Sequence, residues 1–549
     1  MYECPNCGGN LRFDIPSQQL ACSHCNAQFD PYEITKERDA EESMDYEVTV
    51  FTCPQCAGEI YSTDNTAAGF CSFCGASTIL DSRISREKRP QYIIPFSKTK
   101  EDCKMAYSKM IRRAIFAPKE LKNIKHIDGF RGIYMPYWIY DIRQQGTIHL
   151  KGTTQHRKGD YIITEHFNLS GDLDNRYNGL AFDASSSFAD NISERIAPFD
   201  VKQMKAFTPS ILSGFYADTS DLDKVLYEPD AEEQANEQTK KYLHNRKEMR
   251  KYTIGKYENL SGKYHTQCEN AETAMFPVWF LSYRNKDRVA YATVNGQPGK
   301  VVADLPVDIR KYLLGSLILA IPIFILLNMF FTIRPSAALT IVAFIALLSV
   351  ILYAVEMKQI VTKDGYLDDK GLLESRRRKA AEHAGNADYE AAYTAEEKPE
   401  AKGKRVLERL KSRKVIEAII LIIFLGSFRT SFFEFFATAF LQGSETNISA
   451  VPTLIMLVAA VIVSGVSFAN YKKIDARKSI PGFIGALVGM GIATFILVLN
   501  PVSDLIYYGA AVLSMIAVFF TLYDLICYYN ILATRKLPQF DYKGGDDRA

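Results

Sequence analysis

Two long runs of uncharged residues constrain this chain more than any other feature of its sequence. Residues 313–331 and 337–355 each extend for 19 positions without Asp, Glu, Lys or Arg. At a rise of about 1.5 Å per residue, a helix of this length crosses the roughly 30 Å hydrocarbon core of a bilayer. Four more apolar stretches follow: 415–441, 451–470, 482–499 and 505–532. The sequence therefore predicts a polytopic, all-α membrane domain of about six helices behind a large soluble front half.

Lysine and arginine are unevenly distributed among the segments that connect these stretches. Basic residues are concentrated in 357–414 and in 471–479, whereas 442–450 and 500–504 contain neither Lys nor Arg. Because basic loops stay on the cytoplasmic side of a membrane, the pattern predicts a multi-pass protein of the cell membrane with both termini in the cytoplasm.

The third apolar stretch, 415–441, contains the charged residues Arg429 and Glu434. Either charge costs a few kcal/mol near the centre of a bilayer. The segment is therefore either re-entrant or a full crossing in which Arg429 reaches the outer head groups. A full crossing is favoured, because without it the basic loop 471–479 would lie outside.

Eight of the eleven cysteines form two quartets with the same spacing. In each quartet two CxxC pairs are separated by fourteen residues, and the second quartet repeats the first after 49 residues. The predicted ligands are Cys4, Cys7, Cys22 and Cys25 in the first quartet and Cys53, Cys56, Cys71 and Cys74 in the second. Two CxxC turns complete a tetrahedral sulfur site, so we predict two zinc ribbons with one structural Zn²⁺ ion each.

Two other uses of CxxC pairs fit the sequence less well. A redox role usually accompanies a thioredoxin-like alternation of strands and helices, which this sequence lacks. A catalytic zinc ion needs an open coordination position, and four thiolates leave none. The first 30 residues are polar and show no secretory signal, which agrees with metal-binding thiols in a reducing compartment.

The charge of the N-terminal region favours a protein partner over nucleic acid. Residues 1–90 contain 14 acidic and 7 basic side chains, and a zinc ion bound by four thiolates adds further negative charge. Phosphate neutralisation by Lys and Arg supplies most non-specific affinity for nucleic acid. An acidic pair of ribbons lacks that contribution.

Residues 91–308 have the composition of a soluble α+β domain. Residues 98–116 and 228–252 have helical patterns, and 132–152 and 161–169 alternate as strands do. The clearest hairpin joins 276–283 to 287–294, and the turn NGQPGK follows it. The two tryptophans, Trp138 and Trp279, each follow a proline by two positions. We identify no catalytic triad, phosphate-binding loop or histidine ligand pattern, and predict neither an enzyme nor a small-molecule substrate.

These boundaries divide the chain into eight segments. They are zinc ribbon 1 (1–32), an acidic linker (33–50), zinc ribbon 2 (51–82), the cytoplasmic α+β domain (91–308), a transmembrane hairpin (312–356), a charged cytoplasmic loop (357–414), four further transmembrane helices (415–532) and a cytoplasmic tail (533–549).

Together, the two cysteine quartets, the Pro-x-Trp strand, the sequence VNGQPGKVVADLPVD at 294–308 and the membrane spans after it resemble the bacterial TFIIB-type zinc-ribbon membrane proteins, chiefly of Gram-positive bacteria. The resemblance covers about residues 1–355. Members are sometimes labelled primosomal helicases, but this chain has no Walker motif. Some relatives are linked to PspA- and flotillin-type envelope-stress systems, which implies a membrane anchor that recruits cytoplasmic partners.

Three hypotheses of function follow. In the first, the chain is a non-enzymatic membrane adaptor whose ribbons and α+β domain bind cytoplasmic protein partners, while the helices lie in the lipid bilayer. In the second, it is a transporter or channel with regulatory ribbons, and the small residues of 482–491 allow close helix packing. In the third, it is a membrane-tethered nucleic-acid-binding protein.

Overall fold

The computed structural model describes residues 2–36, 45–62, 71–76, 81–254, 264–330, 334–365, 367–383, 450–474 and 480–537. In chain order, these ranges contain two four-cysteine clusters, a sheet-rich soluble domain and apolar helices that could span a membrane. In this coarse form the predicted fold class is confirmed.

The strands of the soluble part belong to two sheets. They are β1 (Leu11–Asp14), β2 (Gln19–Cys22), β3 (Gln28–Phe29), β4 (Asp45–Thr52), β5 (Glu59–Ser62), β6 (Asp81–Lys88), β7 (Tyr92–Ile93), β8 (Arg131–Lys158), β9 (Tyr161–Asp183), β10 (Lys205–Ala206), β11 (Tyr216–Ala217), β12 (Thr253–Ile254), β13 (His265–Asn285), β14 (Arg288–Asn295), β15 (Val301–Ala303) and β16 (Arg535–Lys536). Strands β1 to β3 form a small sheet at the first cysteine quartet, and the rest belong to one large sheet.

The helices fall into a soluble and an apolar group. They are α1 (Pro31–Lys36), α2 (Lys100–Arg113), α3 (Ile124–Ile127), α4 (Asp190–Ile196), α5 (Glu228–Asn245), α6 (Ile309–Phe330), α7 (Pro335–Asp364), α8 (Lys370–His383), α9 (Ala450–Tyr471), α10 (Phe483–Leu499) and α11 (Asp504–Leu532). The predicted helices at 98–116 and 228–252 correspond to α2 and α5. A capping box in which Thr99 and Asp102 bond reciprocally fixes the start of α2.

Strands β8 and β13 form the centre of the large sheet, and both carry the Pro-x-Trp sequence. They pair antiparallel, with Pro136 opposite Met275 and Pro277 opposite Tyr134. Each indole is tied to a neighbouring loop, since Trp138 Nε1 donates to the carbonyl of Leu222 at 2.9 Å and Trp279 Nε1 donates to that of Lys98 at 2.9 Å. The two similar strands therefore lie side by side. Trp138 holds a loop that follows it in the sequence, and Trp279 holds a loop that precedes it.

Strands β8 and β9 also form a hairpin of 28 and 23 residues, much longer than an average strand. Strand β13 pairs with β8 as far as Gln145, and β12 pairs with it at 152–153. Among the described residues, the end of this hairpin has no further strand beside it, and residues 155–166 are all exposed. We call residues 155–166 the hairpin arm.

The described part of the chain contains three of the helices that could cross a membrane, against about six predicted for the whole chain. The described residues contain eleven α-helices, and three are long and apolar enough to cross a membrane: α7, Pro452–Tyr471 within α9, and α11. Helix α10 has 17 residues and falls below that length. The stretch 415–441, with Arg429 and Glu434, lies outside the described residues. Three candidate spans therefore lie in the described part, and the predicted total of six membrane helices stays a prediction.

Helices α7, α9, α10 and α11 pack together into a bundle with two layers of buried side chains. One layer joins Leu339 of α7 to Leu497 of α10 and Tyr507 of α11. The other joins Tyr353 and Ile360 of α7 to buried side chains at the end of α9, the start of α10 and the end of α11, namely Tyr471, Phe483 and Tyr528. Helices α7, α9 and α11 therefore run in one direction and α10 runs in the other.

The small residues of 482–491 allow α10 to approach α11 closely. A Cβ atom added at Gly485 would lie 2.3 Å from the carbonyl oxygen of Ala517, and one at Gly489 would lie 2.7 Å from that of Ser514. No heavy atom lies within 4 Å of the corresponding position at Gly491. Gly485 and Gly489 therefore have no room for a side chain, whereas Gly491 does, although all three belong to the same run of small residues.

This difference predicts the effect of adding one methyl group. Gly485→Ala must push backbone against backbone, and we expect it to destabilise the bundle by about 1–3 kcal/mol, the usual cost of overpacking. Gly491→Ala is the matched control, and we expect no loss of stability. Thermal unfolding of the purified full-length protein in detergent compares the two variants. Equal midpoints for both would contradict the close contact between α10 and α11.

The soluble domain is attached to the ends of α7 and α11. The guanidinium group of Arg288 in β14 forms an ion pair of 3.1 Å with Asp364, the last residue of α7. It also donates to the carbonyl groups of Ile531 and Thr534, at 2.8 and 3.0 Å. Beyond α11, strand β16 pairs with β14. The N-terminal domain and the C-terminal ends of two apolar helices therefore meet at one junction.

Candidate metal centres

The structure brings the four cysteines of each quartet together. Within each group all four Sγ atoms lie within 4.8 Å of one another. In the first cluster Cys4 and Cys25 are 3.6 Å apart, and Cys7 and Cys22 are 3.5 Å apart. In the second cluster the pairs Cys53–Cys74 and Cys56–Cys71 are separated by 3.8 and 3.7 Å.

These distances fit a metal ion with four sulfur ligands. With Zn–S bonds of about 2.3 Å, the edge of a regular tetrahedron of sulfur atoms is about 3.8 Å. A disulfide bond would require about 2.05 Å between sulfur atoms, and all eight cysteines are free thiols in this structure. The geometry of both clusters is therefore that of a metal site with a closed coordination shell.

All four CxxC turns have the same backbone conformation. The residue after the second cysteine has a positive φ in every case: Gly8 (+70°), Asn26 (+59°), Ala57 (+56°) and Gly75 (+72°). The amide of each of these residues donates to the carbonyl of the first cysteine of its pair, at 2.8 to 3.0 Å. The left-handed residue closes the turn so that both thiols point to one side. Glycine at two of these positions was visible in the sequence, whereas Asn26 and Ala57 carry no such signal.

The two clusters differ in their exposure to solvent. In the first, Cys4 and Cys22 are buried while Cys7 and Cys25 are exposed. In the second, all four cysteines are buried. A chelator or an oxidant can therefore reach the first cluster directly but reaches the second only after local opening of the protein.

The second cluster is part of the large sheet. Strand β5, which lies between its CxxC pairs, joins β4 to β11, so the ribbon continues into the central strands. The Tyr291 hydroxyl donates to the carbonyl of Phe73 at 2.6 Å, and the rings of Phe73 and Phe280 meet at 6.4 Å. Strand β4 begins at Asp45, inside the predicted acidic linker 33–50, and β6 continues beyond the predicted end of the ribbon at residue 82.

The difference in exposure predicts two rates of metal release. When excess chelator is added to the purified protein, half of the bound metal should leave rapidly from the first cluster and half slowly from the second. A colorimetric zinc indicator follows both phases. We expect Cys7→Ser to remove the rapid phase and leave the slow one unchanged. A single phase in the wild-type protein would contradict the assignment.

The cysteines that do not belong to the two quartets lie apart from the clusters. Cys103 lies in α2 with 1% of its surface exposed, and burial raises the pKa of its thiol, so it is an inert core residue. Cys268 is half-buried on β13. No groups of metal-binding geometry other than the two quartets occur among the described ranges.

One polar residue of the bundle was missed by the sequence analysis. Asp524 of α11 is 1% exposed, and its carboxylate accepts a 3.1 Å hydrogen bond from the hydroxyl of Tyr353 in α7. A Cβ atom at Gly482 would lie 2.2 Å from the same carboxylate. A single Asp in an otherwise apolar stretch was the available signal, because a charged residue inside a membrane helix usually faces the interior of a bundle.

The comparisons with known proteins give one relative. The chain is 29% identical over 318 residues to the protein named Uncharacterized protein YdjG from Bacillus subtilis (strain 168), an alignment that covers 56% of this chain and 91% of the relative. No protein-family model matches the chain. No solved structure matches it either.

Proposed function

We propose that this chain is a non-enzymatic membrane adaptor, similar to the bacterial TFIIB-type zinc-ribbon membrane proteins, that recruits a cytoplasmic protein partner to the cell membrane. The two four-cysteine clusters, the sheet-rich domain and the apolar helices support this proposal. Two structural zinc ions would occupy the clusters, because four thiolates at tetrahedral spacing suit zinc and leave no position for a catalytic water. A role in an envelope-stress response is part of the proposal.

The observation that carries the proposal is the hairpin arm. Four residues of β8 pair with four of β9 in the arm, which therefore projects by about 13 Å, at about 3.3 Å per residue. At its tip, Tyr161 and Ile162 expose 77% and 71% of their surfaces. An exposed β-ribbon with apolar side chains at its end offers both strand edges and anchor residues to a partner protein.

Crosslinking in intact cells tests this role. A photoreactive benzoylphenylalanine replaces Ile162 in the full-length protein, and Val225, an exposed apolar residue elsewhere on the domain, is the control site. We expect one protein adduct of defined mass from position 162 and none from position 225. Tyr161→Ser in the same chain should reduce that adduct. Absence of a protein adduct at position 162, or equal adducts at both sites, would refute the adaptor proposal.

The packing of the bundle supports a six-span topology with both termini in the cytoplasm. Because Arg288 contacts the ends of α7 and α11, the N-terminal domain and the C-terminal end lie on one side of the bundle. Helices α7 and α9 run in the same direction, so the chain between them must cross the membrane an odd number of times. One crossing by 415–441 satisfies this condition, and α6, α7, α9, α10 and α11 complete the six. The basic residues of 471–479 then place the shared side in the cytoplasm.

Asp524 favours transport as a second candidate function. A buried carboxylate inside a membrane bundle is costly and is usually kept for an ion or proton pathway. The test is ion or proton flux in proteoliposomes, comparing Asp524→Asn with Asp504→Asn, whose side chain is exposed at the start of α11. Flux that is abolished only by Asp524→Asn would support a transporter. Absence of flux in the wild-type protein would exclude it.

A further inference from the structure

A cavity of about 220 Å³ lies at the junction between the soluble domain and the helix bundle. Three parts of the chain form its wall: the loop before α4 and its first turn, with Phe188 and Ile192; residue Asp369 and helix α8 with Arg376; and the segment after α11 with Arg535 and Lys536. Tyr291 and Phe280 close its inner side. The cavity is smaller than the usual 300–1,000 Å³ of drug-sized ligand sites, so it suits a small group or the head of a larger molecule.

The charges of the cavity favour an anion. Arg376, Arg535 and Lys536 contribute three cations, and Asp369 is the single carboxylate among its lining residues. Burial, followed by the nearby Asp190, raises the pKa of Asp369 to about 7, and one of its oxygens already accepts the amide of Leu372 at 2.9 Å. The lining therefore has a net positive charge whether or not Asp369 is ionised.

Arg535 provides the strongest indication of a ligand. Only 8% of its surface is exposed, yet its Nε atom has no hydrogen-bond partner within the described residues. One terminal nitrogen donates to the amide oxygen of Asn191. Buried donors in folded proteins are nearly always paired, because leaving one unpaired is destabilising. Arg535 thus brings a guanidinium group with an unpaired N–H to the lining of a cationic cavity, which suits a phosphate oxygen.

The cavity also lies close to the ends of two candidate membrane helices. Arg535 follows the end of α11 by three residues, and Asp369 follows the end of α7 by five. At about 1.5 Å per residue, helices of 29 and 30 residues are about 45 Å long, which matches a bilayer including its head groups. The ends of α7 and α11 are therefore placed at the level of the lipid phosphates.

We infer that this cavity binds a phosphate group, with Arg535 and Arg376 as its principal ligands and Lys536 as a third cation. The phosphate belongs either to the head group of an anionic phospholipid or to a small phosphate ester from the cytoplasm. The apolar part of the lining accommodates the carbon atoms attached to the phosphate. The site is separate from the hairpin arm, so it holds or fails independently of the proposed adaptor function.

The test uses the full-length, zinc-loaded protein purified in an uncharged detergent and depleted of lipid. Dihexanoyl phosphatidylglycerol, dihexanoyl phosphatidylcholine and inorganic phosphate are titrated separately. Thermal unfolding and native mass spectrometry measure binding, because a ligand that binds only the folded state raises its stability. We expect saturable binding of one phosphatidylglycerol molecule and at least tenfold weaker binding of phosphatidylcholine, whose choline group the cations repel.

Variants on α8 provide matched controls. The side chains of Arg376 and Arg377 are both exposed, and only Arg376 lines the cavity. Arg376→Gln should weaken phosphatidylglycerol binding at least tenfold and Arg377→Gln should leave it unchanged, with neither variant affecting folding. Arg535→Lys, which retains the charge but loses the planar fork, should weaken binding several-fold.

The outcomes separate the two sources of phosphate. Binding of phosphatidylglycerol that depends on Arg376 assigns the site to lipid. Binding of inorganic phosphate with the same dependence, and no binding of lipid, assigns it to a soluble phosphate ester. Failure of both anions to bind the wild-type protein, or equal losses in Arg376→Gln and Arg377→Gln, would overturn the inference.

Discussion

Cys56→Ser is expected to remove one of two bound zinc ions and to unfold the part of the large sheet formed by β4, β5 and β6. Half of the eight buried side chains in the core of the second cluster are its own four cysteines, so without metal only four apolar side chains hold that core together. A structural zinc site contributes about 10–16 kcal/mol in small ribbon-like peptides, as much as the whole stability of a typical domain. Metal analysis by mass spectrometry and limited proteolysis measure the two effects.

Two other cysteine variants make this prediction specific. Cys7→Ser, in the first cluster, should also lose one zinc ion but leave the large sheet folded, because β1, β2 and β3 form a sheet of their own. Cys268→Ser, at a half-buried thiol outside both clusters, should retain two zinc ions and the wild-type proteolysis pattern. Two zinc ions and normal protease resistance in Cys56→Ser would show that the second cluster is not a metal site.

Arg288→Ala is expected to detach the soluble domain from the bundle. The substitution leaves the largely buried carboxylate of Asp364, whose side chain is 10% exposed, without its ion-pair partner, and one of its oxygens has no hydrogen-bond partner among the described residues even in the intact protein. Breaking such a buried ion pair by removing one partner costs about 3–5 kcal/mol. Hydrogen exchange should report the loss as faster exchange in β14 and β16, which pair across the junction.

An exposed ion pair provides the control for this variant. Arg143 forms pairs of 3.4 and 3.5 Å with Asp174 and Glu269, and Arg143→Ala should change stability by no more than about 1 kcal/mol, as exposed pairs do. The double variant Arg288→Ala, Asp364→Ala should be less destabilised than Arg288→Ala alone, since it removes the lone buried charge. Unchanged exchange in β14 and β16 of Arg288→Ala would contradict the proposed role of the junction.

Much of the local structure could be predicted from the sequence because local patterns encode it. The cysteine spacing identified both four-sulfur groups, and the periodicity of 98–116 identified α2. The hairpin at 276–294 is present as β13 and β14. In each case the determining residues lie within a short segment, and the tertiary structure preserves their pattern.

Contacts between distant segments could not be predicted in this way. Nothing local in the sequence distinguishes Gly485 from Gly491, yet Gly485 faces the backbone of α11 and Gly491 does not. Nothing local shows that the second ribbon joins the central sheet through β11, or that Arg535 meets Asn191 across 344 positions. The difference in exposure between the two cysteine clusters has the same origin, because it depends on what packs against each ribbon.

Recruitment of a cytoplasmic partner requires the soluble domain and its junction with the bundle to face the cytoplasm, and cysteine labelling in intact cells measures that orientation. Asp160→Cys places a thiol in the exposed turn between β8 and β9, and Val502→Cys places one in the fully exposed loop between α10 and α11, at the other end of the bundle. With a membrane-impermeant maleimide and the wild-type protein as background, we expect labelling of Val502→Cys in intact cells and of Asp160→Cys only after permeabilisation. Labelling of Asp160→Cys in intact cells would contradict that orientation.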